Sequence, residues 1–134
     1  MERRFFLFPL LTLLLLLPLI SNGQEDHAAE IDAINARGRN FANQGNFDEA
    51  EKAFLSILDI DSLSVQARNN LGIIYKTLGR YNDALRVYSE AEAIVKGQCG
   101  PLCPELALIY MNKGIVQKQM QDYELALQYL LAAE

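Results

Sequence analysis

Histidine occurs once, at His27, and cysteine twice, at Cys99 and Cys103. One imidazole in a polar stretch near the N-terminus is an ordinary solvated side chain rather than a ligand or a general base. Two cysteines alone cannot make a structural zinc site. Glycine never clusters into a phosphate-binding loop, no serine sits in a nucleophile elbow, and His and Cys show no metal-ligand spacing. No catalytic residue, metal or cofactor is therefore expected. Basic blocks are missing as well: 17 acidic side chains face 12 basic ones, a formal charge of −5. That balance argues against nucleic acid as a partner. The carboxylates Asp48, Glu49, Glu51, Glu90 and Glu92 read as solvated polar faces.

A single long apolar run is present, from Phe5 to Ile20, behind Glu2, Arg3 and Arg4 and ahead of Ser21-Asn22-Gly23. Its length, its basic flank and the small residues after it fit a secretory signal over residues 1–23, with cleavage after Gly23. An uncleaved anchor is the alternative, in which case the membrane is met only through this segment, although the run is short for a span of about 20 residues. The chain is expected to be exported, periplasmic or secreted if bacterial. No cysteine near Gly23 marks a lipoprotein. Without residues 1–23 the remainder carries 16 acidic and 10 basic side chains, enough chain for one small helical array.

What is there, beyond this, is a repeat. Gly38, Phe41, Gly45, Phe47, Ala50 and Phe54 recur 34 residues later as Gly72, Tyr75, Gly79, Tyr81, Ala84 and Tyr88. A third copy keeps Gly114, Tyr123, Ala126 and Ala133 but has Gln117 and Gln121 where the others have an aromatic and a glycine. The spacing places Ile34, Gly38 and Phe41 on one stripe of a first helix, and Phe47, Ala50, Phe54 and Ile57 on one stripe of a second. Small residues in mid-helix cost propensity, so Gly38 against Ala50 and Gly72 against Ala84 predict close approach of two axes, with the aromatics packed beside it. Gly45 and Gly79 suit a left-handed C-cap, with Asn46 as the next N-cap and Asp48 and Glu49 in its first turn. At Gln121 the same turn would cost about 1–2 kcal/mol, unless the turn is looser there.

These residues resemble the tetratricopeptide repeat family. The resemblance implies an all-α fold, an α–α superhelix of about three helical hairpins forming a right-handed solenoid. Helices are expected near 29–44, 47–60, 64–78, 81–96, 104–120 and 123–134. The chain divides accordingly into a lead-in at 24–30, repeats at 31–64 and 65–106, and a third at 107–134 that is incomplete at its C-terminus. The second repeat carries an extended connector, because Gly72 to Gly114 is 42 residues. Gly97, Gly100, Pro101 and Pro104 mark it as a loop. Gly100-Pro101-Leu102-Cys103-Pro104-Glu105-Leu106-Ala107 is similar to the connector of the 42-residue repeats in kinesin light chains and many bacterial relatives. Pro104 would open the next helix.

Cys99 and Cys103 bracket this turn. Export favours a disulfide between them, worth only about 2 kcal/mol for so short a loop. Two free thiols and a redox switch stay open, though no Lys, Arg or His obviously activates a thiol.

In this family the first helices line a concave groove that receives peptides or partner helices. The corresponding positions are Asp32, Asn35 and Arg39; Gln66, Asn69, Asn70, Ile73 and Lys76; and Leu108, Met111, Asn112, Ile115 and Lys118. Asn70 and Asn112 are the expected main contacts, since an amide can pair with both N–H and C=O of a ligand backbone. The family's carboxylate clamp, which holds chaperone C-termini with lysines and an arginine, finds here only Asn70 and none of its basic partners. Two functions are consistent with this: a non-catalytic scaffold binding a protein or peptide, or the N-terminal input region of a longer bacterial signalling protein. Finally, Ala126, Tyr129, Leu130 and Ala133 are expected to face where a further helix would pack. The expectation is then a longer repeat protein or self-association through the C-terminal helix.

Overall fold

The computed structural model describes the backbone from Leu17 and the side chains from His27 to the C-terminus. Six helices and no strand are found among the described residues: α1 Leu17–Asn43, α2 Phe47–Ile60, α3 Val65–Thr77, α4 Tyr81–Cys99, α5 Glu105–Gln119 and α6 Tyr123–Ala132. Residues 34–134 form one compact unit, and the described residues before Ile34 belong to a separate one. Most of the expected signal segment lies outside the described residues. No described helix is long and apolar enough to cross a membrane.

Helix α1 corrects an expected boundary, because it is already helical at Leu17 and runs unbroken through Gly23 rather than starting near 29. Gln24–Glu30 contains Gln, Glu and Ala, good helix formers, with no proline to stop the helix. Within this stretch His27 Nδ1 stands 3.7 Å from Glu30 Oε2 with both side chains mostly exposed.

From Ile34 onward the helices form three hairpins, α1–α2 with Gly38 against Phe54, α3–α4 and α5–α6, and α3 packs on α2 as α5 packs on α4. The apolar positions explain the pairing. On α3, Leu71, Ile74 and Tyr75 fall three to four apart and are buried; on α4, Ala84, Val87, Tyr88, Ala91 and Val95 do the same. Each hairpin closes over a first-helix glycine. A Cβ on Gly38 would come within 2.8 Å of the Phe54 ring, and one on Gly72 would overlap the Tyr88 ring. At Gly114 it would meet Leu130 at 3.0 Å and the carbonyl of Ala126 at 3.2 Å. The close approach expected at these glycines is present, with a changed partner: in the first two repeats the glycine faces an aromatic ring one turn beyond the expected alanine. Tyr88 and Phe54 are 0% and 1% exposed.

All three first helices end in one geometry. Gly45, Gly79 and Gln121 have φ of 78°, 72° and 65°. In each, the N–H of this residue and of the next fold back on the helix, as in Arg80 N–H to Tyr75 O at 2.8 Å and Asp122 N–H to Gln117 O at 3.0 Å. This is the double-bonded αL ending that glycine favours. The third repeat keeps it with a glutamine, so the looser turn does not occur. Asn46 does not cap α2 with its side chain, contrary to expectation; its Nδ2 donates to Gln44 Oε1 at 3.3 Å instead. Ser64 Oγ and Asp122 Oδ1 do cap, accepting from Ala67 N and Leu125 N.

The extra residues of the second repeat are partly helical. Helix α4 continues to Cys99, so Gly97 lies within it rather than in the loop, and only Gly100 to Pro104 connect it to α5. Tyr123, expected in the packed aromatic set, is 65% exposed. No described helix packs over the start of α6.

Two substitutions test this packing. Gly72→Leu should lower the unfolding free energy by about 3 kcal/mol through overpacking against Tyr88. Gln121→Gly should raise it by about 1 kcal/mol through relief of the left-handed strain. Urea denaturation followed by circular dichroism reads both. Unchanged stability in the first variant or a loss in the second would contradict the packing described.

Candidate functional site

The first helices face one another across a shallow groove. Between α1 and α3 lies a depression of about 280 Å³ lined by Arg39, Ala42, Asn43, Phe54, Asn70, Ile73 and Ile74. Its floor is the edge of the Phe54 ring with Ile73 and Ile74, and its rim is polar. Asn70 crosses between repeats, donating from Nδ2 to Asn35 Oδ1 at 2.8 Å.

That bond corrects one expected contact. Asn35 is 3% exposed, so it ties repeat one to repeat two. Asn112 is likewise buried, at 6%, and so is not the open groove contact expected of it. Asn69 is half-buried, and its Oδ1 has no partner among the described residues. Arg39, Gln66, Ile73, Leu108, Met111 and Lys118 are exposed; Asn70, Lys76 and Ile115 are half-buried. Asp32 is exposed, in the unit before Ile34.

The expectation of solvated carboxylates fails at the repeat junctions. Glu92 of α4 accepts from Lys113 Nζ at 2.8 Å, from Lys96 Nζ, and from the Tyr110 hydroxyl at 3.3 Å. Lys113 is 5% exposed and its ammonium stands 4.6 Å over the Tyr129 ring. Burial alone would raise the Glu92 carboxyl, but the hydrogen bonds from Lys113 and Lys96 outweigh it and hold it below the usual carboxylate range. Burial would lower the Lys113 ammonium, yet the bond to Glu92 leaves it raised. A related arrangement joins repeats one and two. Tyr75 donates its hydroxyl to Glu51 at 2.9 Å, and Arg80 reaches Glu51 at 3.2 Å while lying 4.3 Å over the Tyr75 ring. Burial, then the bond to Glu51, pushes the Tyr75 hydroxyl up to about 12. Within the second hairpin Arg68 pairs with Glu90 at 3.3 Å.

Two family models match, both described as tetratricopeptide repeat, one over residues 63–134 and one over 31–62. The chain belongs to the tetratricopeptide repeat family. Among solved structures it is similar to the second TPR of Spaghetti (RPAP3) bound to HSP90 peptide SRMEEVD. There the TM-score is 0.67 and the identity 14%, over 84% of this chain and 95% of that one. It is also similar to the N-terminal domain of stress-induced protein-1 (STI-1) from C. elegans, at TM-score 0.67 and 15% identity, over 80% and 84% of the two chains. MamA matches at TM-score 0.65 and 17% identity over 77% of this chain and 56% of its own. No curated protein matches. At these identities the likeness establishes the fold.

Two further features lie outside the tetratricopeptide groove. Cys99 and Cys103 face each other at the end of α4 with Cα atoms 5.6 Å apart, a separation that a disulfide bridges. Glu105 is near, and the three ligand-capable atoms lie within 4.8 Å of one another; as a bonded pair the sulfurs would offer no thiolate to a metal. On α6 the expected apolar strip is divided. Ala126 is buried against Gly114, and Tyr129 stacks on Tyr110 with ring centroids 6.3 Å apart. Both therefore face back onto α5. Leu127 and Leu131 are outward, at 58% and 59% exposed, as is Tyr123, while Leu130 meets Gly114 yet stays 39% exposed.

Glu92→Gln would leave Lys113 buried without its counter-charge and should cost about 3 kcal/mol at neutral pH. The folded-state carboxyl is depressed, so its contribution is present above the unfolded value and is lost as pH falls through the folded one. Chemical denaturation from neutral to acid pH should show the wild type converging toward the variant at the acid end. Parallel curves across that range would contradict the assigned charge pair.

Proposed function

We propose that this protein is a protein-interaction scaffold that holds a peptide or partner segment along its first-helix groove. One observation carries the reading: the depression between α1 and α3 combines an apolar floor with an amide positioned to read a backbone. Asn70 commits one N–H to Asn35 and keeps its second N–H and its carbonyl oxygen for a ligand. Arg39 and Ile73 flank it, and Lys76, Met111, Ile115 and Lys118 continue the same face along α3 and α5. Support comes from the family and from the similar TPR structure that is bound to an HSP90 peptide. Catalysis has no part in the reading, which uses contacts alone.

The wider setting is part of the same proposal. The apolar run behind Arg3 and Arg4 exports the chain, and in that compartment Cys99 and Cys103 form a disulfide that pins the connector between α4 and α5. The 42-residue spacing resembling kinesin light chains then places a covalent clip at the one connector that departs from the 34-residue period.

Affinity capture with the full chain, followed by cross-linking, tests the docking face. Captured partners should cross-link to α1, α3 and α5, and Asn70→Ala should weaken binding by about 1–3 kcal/mol where its groups are desolvated. Cross-links confined to α2 and α4, with Asn70→Ala binding normally, would overturn the groove. For the clip, intact-mass measurement of unreduced protein after alkylation should find no alkylated thiol, and two alkylated cysteines would refute it.

A further inference from the structure

The ion pair that joins repeats two and three has an unpaired counterpart split between the first and third hairpins. Glu92 follows Gly72 by 20 residues, and Glu134 follows Gly114 by the same 20. Lys113 directly precedes Gly114, and Arg37 directly precedes Gly38. Inside the array a carboxylate and a cation at these two repeat positions meet at 2.8 Å. Arg37 and Glu134 are exposed, and neither forms an ion pair among the described residues. Glu49, which lines a depression with Arg37, is engaged by Lys52 at 2.9 Å. The surfaces around the two residues keep the correspondence. On α5, which packs on α4, Asn112, Lys113, Val116 and Gln117 are buried; their counterparts on α1, Ala36, Arg37, Asn40 and Phe41, are exposed or half-buried. Tyr88 and Ala91 of α4 are 0% exposed, whereas their counterparts on α6, Leu130 and Ala133, remain open. With Leu108, Met111 and Glu134 these two line a depression of about 500 Å³ between α5 and α6.

We infer that a second copy of this chain seats its α1, from Ile34 onward, on the α5–α6 face, so that Arg37 of one copy meets Glu134 of the other as Lys113 meets Glu92 within one chain. Charge complementarity selects this occupant. Helix α6 carries Glu124 and no basic residue, and Glu134 extends the same sign; the segment from Ile34 to Asn43 carries Arg37 and Arg39 and no acid. Opposite signs on the two faces steer one onto the other and oppose pairing of like with like. Burial of Leu108, Met111 and Leu130 against Ala36 and Phe41 supplies the attraction between them. The contact is heterologous, because each copy uses a different surface. Every added copy therefore leaves one face of each kind free, and association runs on beyond a pair. Neither face uses Asn70 or Ile73 of the α1–α3 depression, so peptide docking and self-association are separable.

Sedimentation velocity of the full chain over a concentration series tests this, with Arg37→Glu, Glu134→Arg and the double variant carrying both changes. The wild type should grow with concentration through dimers to longer species. Each single reversal should weaken association at least about tenfold, since it sets like charges opposite each other. The double variant, in which the two charges are exchanged, should regain the wild-type behaviour. An equal mixture of the two single variants should regain it too, because opposite charges can again meet at every junction. Both side chains are exposed, so circular dichroism should be unchanged; a variant in which it changes would be replaced by Arg37→Gln or Glu134→Gln, each expected to weaken association less. A monomeric wild type would overturn the inference. Association of equal strength in all four proteins, the pattern that the apolar run from Phe5 to Ile20 would give, would overturn it as well. Weakening by the single reversals with no recovery in the double variant or the mixture would overturn the Arg37–Glu134 contact.

Discussion

Everything in the folded array depends on how closely two helices can approach at Gly38, Gly72 and Gly114. A hydrogen in place of a side chain lets the Phe54 ring, the Tyr88 ring or Leu130 lie against the first-helix backbone. Mid-helix glycine weakens each first helix by about 1 kcal/mol, and burial of the facing ring offsets this, since a buried aromatic contributes about 1.5–3 kcal/mol. Hairpins built this way leave part of each first helix outward, as at the exposed Arg39, Ile73 and Met111. Side by side, the outward parts of α1 and α3 make the groove between them, whose floor is the edge of the same Phe54 ring. The packing contact and the proposed docking surface therefore share atoms.

Stacking one hairpin on the next requires a second kind of contact. Both junctions use a second-helix carboxylate gripped by a cation and a tyrosine hydroxyl of the following repeat: Glu51 with Arg80 and Tyr75, and Glu92 with Lys113 and Tyr110. At the second junction Lys113 is buried, so mispaired repeats would leave its charge unmatched, whereas Arg80 at the first junction is exposed and contributes less. Asn70 adds a neutral bond across the first-helix side of the first junction. Register between repeats is thus held by polar contacts, while the affinity between them comes from the apolar stripes.

The glycine and aromatic phase made the hairpins and their turns legible from residue order, because those features repeat within one unit and obey local helix geometry. At Gln121 the residue order left the left-handed turn and a looser one both open, and the structure has the left-handed one, with φ of 65°. Pairings between repeats were not legible. Lys113 reaches Glu92 across 21 residues and Asn70 reaches Asn35 across 35, and nothing in the local pattern distinguishes these polar side chains from solvated ones. Asn112 occupies the same repeat position as Asn70, yet it is buried, so position in the repeat did not decide access to the groove. The end of α4 was misjudged because a glycine and two prolines downstream signalled a loop, whereas Gly97 is helical and the break comes only at Gly100, with φ of 86°.

Hydrogen–deuterium exchange of the full chain, alone and with a captured partner, tests most directly the claim that packing geometry and recognition share the first helices. The account predicts that the partner slows exchange along α1 from Ile34, α3 and α5, with the strongest effect around Arg39 to Asn43 and Asn70 to Ile74. Slowing confined to α2, α4 and α6, with the first helices unchanged, would contradict it.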